Sequence, residues 1–211
     1  MPVVAAVLWD LGGVILESPF DGFARYETEH GLPAGFLRTL NATNPDDNAW
    51  ARFERGHVGV AEFATLFEAE AAAAGGRIDA AGVLALLSGR PRPEMVEALR
   101  RCAARLRTGA VTNNFVGFGG PDTSPRPDLV EILALFDVVI ESSKVGLRKP
   151  DPRIYELACD ELGVSPTETV FLDDLGVNLK SARALGMTTI KVVDPGSALA
   201  ELEAVVGFPL R

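Results

Sequence analysis

Residues 3–15 read VVAAVLWDLGGVI, an apolar run that ends in an aspartate, a leucine and a pair of glycines. A short apolar run bounded by glycine is typical of a buried strand in a parallel sheet. The carboxylate of Asp10 would then lie at the carboxyl end of the strand, where open α/β sheets place their functional sites. An aspartate near two glycines is also ordinary turn chemistry, so this segment alone leaves a turn-only interpretation open.

Further segments along the chain have the composition of strands and alternate with helical patterns. The predicted strands are Gly109–Thr112, Phe136–Glu141, Thr169–Leu172 and Thr188–Val193. The predicted helices are 94–106, Asp151–Leu162 ended by Gly163, and Leu179–Leu185. The Gly- and Pro-rich stretch 117–127 is predicted to be a loop. Strands that alternate with helices favour parallel βαβ units with right-handed crossovers, so we expect an α/β fold.

The long stretch between Ser18 and Ser88 has helical patterns and no convincing strand. Phe63, Leu66 and Phe67 recur at helical spacing. Asp79 precedes a second apolar stripe and is placed to cap the start of its helix. We therefore expect a helical region between the first strand and the rest of the sheet.

The bulk composition limits the classes of partner. The 211 residues are 47% hydrophobic and carry a formal net charge of −9, which is globular and argues against binding to nucleic acid or to anionic membranes. We find no signal peptide or membrane span, so we expect a cytoplasmic protein. Cys102 and Cys159 lie in apolar helical patterns and are expected to be buried free thiols.

Polar residues follow several of the predicted strands, and parallel strand ends converge on one crevice. Those residues are Asp10, Thr112 with Asn113 and Asn114, Lys149, and Asp173 with Asp174. Carboxylates gathered in one crevice repel one another unless a cation lies between them, and oxygen ligands suit Mg²⁺. With a metal bound, Asp10 could attack phosphorus and form an aspartyl-phosphate, while Thr112 and Lys149 hold the phosphoryl oxygens.

Four motifs carry a resemblance that extends over nearly the whole chain. They are 10–14 (DLGGV), 111–114 (VTNN), 144–155 (KVGLRKPDPRIY) and 171–179 (FLDDLGVNL). In these residues the chain resembles the haloacid dehalogenase superfamily in its phosphatase-like branch. The last two motifs are especially similar to the N-terminal phosphatase domain of soluble epoxide hydrolases and to the related domain fused to some acyl-CoA dehydrogenases.

The resemblance implies a Rossmann-like core with a helical cap inserted after the first strand. The core would comprise residues 1–17 and 89–211, and the cap residues 18–88. It also implies a role for each matching residue. Asp10 would be the nucleophile and a metal ligand, Asp174 and the Gly12 carbonyl would be further metal ligands, and Thr112, Asn113 and Lys149 would bind phosphate. Asp173 would be a ligand through water or an orienting neighbour, and Asn178 would support the catalytic loops by hydrogen bonds.

The chain departs from the family pattern at Gly12, where most of these phosphatases have an aspartate that acts as general acid and base. We therefore expect a slow or selective Mg²⁺-dependent hydrolase of a small phosphorylated metabolite. Glu17 is a conceivable substitute acid, although a solvated loop residue is the plainer interpretation. Two alternatives stay open: a weakly catalytic binding domain, and a 2-haloacid dehalogenase, whose branch lacks the acid pair Asp173 and Asp174.

Other polar residues of the predicted cap have no assigned role from the sequence. His30 and His57 are expected at the surface or at helix ends, although His57 could face the crevice. Arg52 and Arg55 are expected on a solvated helix face, although they could recognise an anionic substrate. Lys144 competes with Lys149 for the phosphate role, and we expect it to be a surface charge.

Overall fold

The computed structural model describes residues 3–113 and 126–211. Asn114 and most of the predicted loop at 117–127 lie outside the described residues. A parallel sheet of five strands in the spatial order β3-β2-β1-β4-β5 forms the centre of the molecule. Its strands are β1 Ala6–Trp9, β2 Arg107–Thr112, β3 Val138–Glu141, β4 Thr169–Asp173 and β5 Thr188–Lys191. The predicted α/β, Rossmann-like fold is therefore confirmed.

Strand β1 is shorter than the apolar run that predicts it. Ala6 pairs with Arg107 and Thr169, which are the first residues of β2 and β4. Neither neighbouring strand therefore extends alongside the residues that precede Ala6. Val3 is accordingly exposed. Hydrophobicity alone therefore overestimates a strand whose length depends on its neighbours.

The register of the sheet brings the functional strand ends level with one another. Trp9 pairs with Ala110 on one side and with Leu172 on the other. The next residue, Asp10, donates its N–H to the Leu172 carbonyl at 2.9 Å. Because every pairing is parallel, the residues that follow β1, β2 and β4 emerge at the same edge.

Eleven α-helices and one short 3₁₀ helix, Pro166–Glu168, occur in the described residues. The α-helices are numbered in chain order. They are α1 Pro19–Glu29, α2 Phe36–Ala42, α3 Ala49–Glu54, α4 Val60–Ala73, α5 Ala80–Ala85, α6 Pro93–Ala103, α7 Pro127–Leu133, α8 Ser142–Val145, α9 Pro152–Leu162, α10 Gly176–Ala184 and α11 Pro195–Val206. The predicted caps are confirmed, because the Asp79 and Asp151 side chains accept backbone N–H groups and Gly163 has φ 68°. Helix α10 begins three residues earlier than predicted, since its first turn lacks the apolar stripe used to locate it.

Each face of the sheet carries its own apolar cluster. Val7 and Trp9 point to one face and Ala6 and Leu8 to the other, as expected for alternating side chains of a strand. Cys102 belongs to the first cluster and Cys159 to the second, and both are buried free thiols, as predicted.

Residues 18–88, all of them described, contain α1 to α5 and no strand; we refer to them as the cap. A third apolar cluster is built from residues of this stretch alone. At its centre the Phe63 ring stacks on Phe53 and Phe67, with ring centroids 4.3 and 5.1 Å apart. The cap therefore has an interior of its own. Within the described residues, no helix combines the length and the apolar character that crossing a bilayer requires.

Candidate active site

A buried lysine links two carboxylates at the carboxyl edge of the sheet. The Lys149 Nζ lies 2.8 Å from Asp10 Oδ1 and 2.7 Å from Asp173 Oδ2. Only 1% of the Lys149 side chain is exposed, so these two ion pairs are shielded from solvent. Lys144 is instead exposed and pairs with Glu141, in agreement with the prediction that it is a surface charge.

Hydrogen bonds hold both aspartates of that network in place. Asp10 Oδ1 accepts the Leu11 N–H at 2.7 Å. Asp173 accepts the Leu175 N–H at 2.8 Å and the Asn178 side-chain amide at 3.0 Å to each oxygen. Both Asp173 oxygens are thus engaged by protein donors.

Asp174 completes a cluster of three carboxylates. Ligand oxygens of Asp10, Asp173 and Asp174 all lie within 4.8 Å of one another, a spacing at which one cation can contact them. Gly13 has φ 78°, and a Cβ at that position would lie 2.3 Å from Asp174 Oδ2. Glycine at this position therefore lets the acidic side chain approach the first loop.

The three carboxylates of the cluster carry more negative charge than Lys149 neutralises. Burial raises the pKa of Asp10 to about 8, with the nearby Asp173 charge adding to the effect and Lys149 opposing it. Burial, reinforced by Asp173, likewise raises the pKa of Asp174 to about 6. One ammonium group does not offset three crowded carboxylates. The donor set and its charge fit a divalent cation.

Asn113 binds the backbone of Lys149 at two points. Its Oδ1 accepts the Lys149 N–H at 2.8 Å, and its Nδ2 donates to the Lys149 carbonyl at 3.0 Å. Thr112, 3% exposed, lies one residue earlier and lines the same cavity as Asp10. The structure therefore brings Thr112, Asn113 and Lys149 together, as the strand-end argument predicts.

Gly12, where the family pattern has an acid, faces open space. It lines the cavity beside Asp10, and a Cβ built on it would meet no heavy atom within 4 Å. The position can accept a side chain without steric conflict. Its glycine is therefore not required by packing, in contrast to that of Gly13.

A cavity of about 880 Å³ separates the strand ends from the cap. Apolar cap side chains on its wall are Phe20, Phe23, Trp50 and Leu87. Cationic side chains on its wall, beside the site lysine, are Arg38, Arg55 and Arg148. The cavity can thus receive an anionic group at the sheet edge and an apolar organic part against the cap.

The cap residues left open by the sequence separate into two groups. Arg55 lines the cavity, whereas Arg52 forms an exposed ion pair with Asp47. His30 stacks on Tyr26 with ring centroids 3.9 Å apart, and His57 is exposed; among the described residues neither lines this cavity. Glu17 is also exposed and outside its lining, which argues against a role as substitute acid.

Sequence reasoning missed Glu54, an 8% exposed cap residue that reaches the strand ends. Its Oε2 lies 2.6 Å from Arg148 Nε and its Oε1 accepts the Trp50 indole N–H at 2.8 Å. Burial raises the pKa of Glu54, and Arg148 opposes that shift. Between Arg52 and Arg55 it resembles part of a solvated charged face, so no sequence signal distinguishes it.

Comparison with known proteins places these features in a wider group. A family model for haloacid dehalogenase-like hydrolases matches residues 4–186. The chain is 36% identical over 212 residues to mouse acyl-CoA dehydrogenase family member 10, covering 98% of this chain and 19% of the relative. It is 34% identical over 217 residues to bifunctional epoxide hydrolase 2 of Sus scrofa, covering 97% and 39%. The chain thus spans well under half the length of these relatives.

Solved structures with the same fold include an enzyme with magnesium and inorganic phosphate bound and a dehalogenase. One is a haloacid dehalogenase family enzyme of Bacteroides thetaiotaomicron in complex with magnesium and inorganic phosphate, with TM-score 0.59, 20% identity, and 89% and 93% of the two chains covered. Another is the L-2-haloacid dehalogenase of Xanthobacter autotrophicus with chloropropionic acid covalently bound, with TM-score 0.58, 20% identity, and 96% and 83% covered. At these identities the likeness shows the fold alone.

Proposed function

The chain belongs to the haloacid dehalogenase-like hydrolases, and we propose that it is a Mg²⁺-dependent phosphatase that acts on a small organic phosphate monoester through Asp10. The observation that carries the proposal is the cluster of Asp10, Lys149, Asp173 and Asp174 at one edge of the sheet. It combines a carboxylate nucleophile, an ammonium group and additional acidic ligands in one cavity.

The hydrogen bonds support one carboxylate oxygen of Asp10 as the nucleophile. The described contacts of this side chain, from Leu11 and Lys149, engage Oδ1. Oδ2 is therefore the atom proposed to attack phosphorus, which breaks the ester P–O bond and forms an aspartyl-phosphate. The leaving alkoxide takes a proton from solvent or substrate, and water then hydrolyses the acyl phosphate to return the carboxylate.

Charge neutralisation at the phosphoryl group falls to the residues around the nucleophile. The Lys149 ammonium and the Thr112 hydroxyl are proposed to hold the phosphoryl oxygens, where they stabilise the charge that develops in transfer. Asn113 keeps the Lys149 backbone in place on both sides.

The three carboxylates fit Mg²⁺, which would supply the positive charge that the site needs for an anionic substrate. Asp10, Asp174 and the Gly12 carbonyl are the proposed ligands. Asp173 is better suited to an orienting role, because its two oxygens already accept bonds from Lys149, Asn178 and the Leu175 N–H.

Gly12 is the reason to expect a slow or selective enzyme. General acid catalysis typically contributes about 10²- to 10⁴-fold to the rate, and in the described residues no carboxyl group lies within 4 Å of a Cβ built at Gly12. Substrates whose leaving group departs without a proton would be the least affected.

Because Gly12 provides no general acid, two alternative functions stay open. A binding domain with little turnover needs no acid, and a 2-haloacid dehalogenase releases halide without a proton. The acidic pair Asp173 and Asp174 favours the metal-dependent phosphatase over the dehalogenase.

Hydrolysis of p-nitrophenyl phosphate, with Mg²⁺ and with EDTA, tests the proposal. This leaving group departs with little protonation, so the absent acid does not conceal activity. We expect metal-dependent turnover that Asp10→Asn abolishes and that Asp160→Asn, at an exposed carboxylate of α9, retains. Full activity in Asp10→Asn would contradict the mechanism. Halide release from 2-haloacids in EDTA would instead support the dehalogenase.

A further inference from the structure

Glu54 connects the cap to the loop that carries the site lysine. It ends helix α3, and its Oε2 accepts from two core residues, Arg148 Nε at 2.6 Å and Asn113 Nδ2 at 3.2 Å. The Ser142 hydroxyl donates to the Glu54 backbone carbonyl at 2.5 Å. One buried cap residue therefore touches three separate segments of the core.

Asn113 is the point at which this contact reaches the chemistry. Its amide nitrogen donates to both Glu54 and the Lys149 carbonyl, while its amide oxygen accepts the Lys149 N–H. Two acceptors on the nitrogen side hold the amide group in one orientation. That orientation is the one that clamps Lys149, whose Nζ lies between Asp10 and Asp173.

The bonds of Glu54 account for both of its carboxylate oxygens. Oε2 accepts from Arg148 and Asn113, and Oε1 accepts the Trp50 indole N–H at 2.8 Å. These donors favour the ionised form of the carboxylate and oppose the rise in its pKa that burial causes. The contacts of Glu54 therefore hold its side chain toward the residues that position Lys149.

We propose that Glu54 is a positioning residue of the phosphatase site, which orients Asn113 and thereby holds Lys149 against Asp10 when the cap is packed against the core. This inference rests on the proposed function for its effect on turnover, but its effect on Lys149 is independent of turnover. It makes the packing of the cap against the core a condition for an ordered loop around Lys149.

The first test is Glu54→Gln, which retains the shape of the side chain and loses its charge and one acceptor oxygen. We expect kcat/KM for p-nitrophenyl phosphate to fall about 10- to 100-fold, because small displacements of a positioned group cost that much. Glu62→Gln, at an exposed glutamate of the same cap, is the matched control and should leave kcat/KM unchanged.

Amide hydrogen exchange provides a readout that needs no activity. With Asn113 free to turn, the Lys149 N–H should exchange at least roughly tenfold faster in Glu54→Gln, since its acceptor is no longer held. The Val111 N–H in strand β2 serves as the internal reference, because general loosening of the fold would accelerate both amides. Equal protection of Lys149 in the variant and the wild type would overturn the proposal.

A double-mutant cycle with Asn113→Ala separates positioning from a merely structural role. If Glu54 acts through Asn113, the double variant should lose no more kcat/KM than Asn113→Ala alone. Additive losses would overturn the proposal.

A substitute variant is available if Glu54→Gln does not fold. Trp50→Phe removes one donor to Glu54, and unchanged exchange of the Lys149 N–H in that variant would equally contradict the proposal. A wild type with no turnover refutes the proposed function, while the exchange result still decides the role of Glu54.

Discussion

The strand ends and the cap face each other across one cavity but are built in opposite ways. On the strand side, charged groups such as Lys149 and Asp173 are buried and satisfied by one another. On the cap side, the wall is formed largely by aromatic and aliphatic side chains, among them Phe20 and Phe23. The first arrangement suits chemistry on a phosphoryl group, which needs preorganised charge. The second suits contact with the organic part of a substrate, which needs shape and apolar area.

The contrast also separates two kinds of constraint. Substituting a group in the buried ionic network leaves a partner charge without compensation, which is costly. Substituting an apolar wall residue of the cap removes contact area and leaves the chemistry intact. Variants on the two sides should therefore differ in the size and type of their effects.

The largest expected effect follows removal of the site lysine. Lys149→Met leaves Asp10 and Asp173 buried without their common partner, and breaking a buried ion pair in this way costs about 3–5 kcal/mol. Urea denaturation in EDTA measures the free energy of unfolding without help from metal. Lys144→Met, at an exposed ion pair, is the control. Equal stability of the two variants would mean that the network contributes little to the fold.

A large gain is expected from Gly12→Asp. The new side chain enters open space beside Asp10, so it can act as a general acid and raise turnover on alkyl phosphates about 10²- to 10⁴-fold. Turnover on p-nitrophenyl phosphate should change far less. Rates across a series of phosphate esters with different leaving-group pKa values measure this difference. No gain, with metal binding retained by calorimetry, would point to a site used for another reaction.

The two adjacent glycines should respond differently to alanine. Gly13→Ala strains a residue at φ 78° and places a Cβ against Asp174, so we expect it to destabilise the protein by about 1–3 kcal/mol. Gly12→Ala meets no neighbour and should stay near wild-type stability. Thermal unfolding of both variants makes the comparison, and equal losses would contradict the described loop geometry.

The smallest effect is expected on the cap wall. Phe20→Ala should lower kcat/KM for naphthyl phosphate relative to that for methyl phosphate by roughly 3- to 10-fold, because it removes apolar contact area. Leu66→Ala, at a cap residue outside the cavity lining, should leave the ratio unchanged. A ratio that Phe20→Ala does not alter would mean that the organic group does not contact this wall.

Most of the core could be predicted because its signals are local. Each strand is marked by a short apolar run, and parallel pairing then requires the residues that follow β1, β2 and β4 to meet. Asp10, Thr112, Lys149 and Asp173 are brought together as this argument predicts. The roles assigned to them by resemblance, and the division of the chain into core and cap, stay predictions. The positions at which strands begin and end are predicted less accurately, since the start of β1 depends on where the neighbouring strands begin.

The cap shows what local signals cannot supply. The residue pattern does not distinguish Arg55, which lines the cavity, from Arg52, which pairs with Asp47 at the surface. Helical periodicity indicates that a helix has an apolar face, but the cavity wall depends on how five helices pack together and against the sheet. No periodicity in the cap sequence specifies that packing.

By itself the sequence determined the α/β architecture, the edge of the sheet that carries the site and the polar groups gathered there, because strand period and parallel topology translate directly into position. Only the tertiary structure decided that Glu54 contacts Arg148, 94 positions later in the chain. It also decided that a side chain at Gly12 would have free space, whereas one at Gly13 would collide with Asp174. Such contacts join segments whose local patterns are independent of each other. They are defined only when the segments pack together.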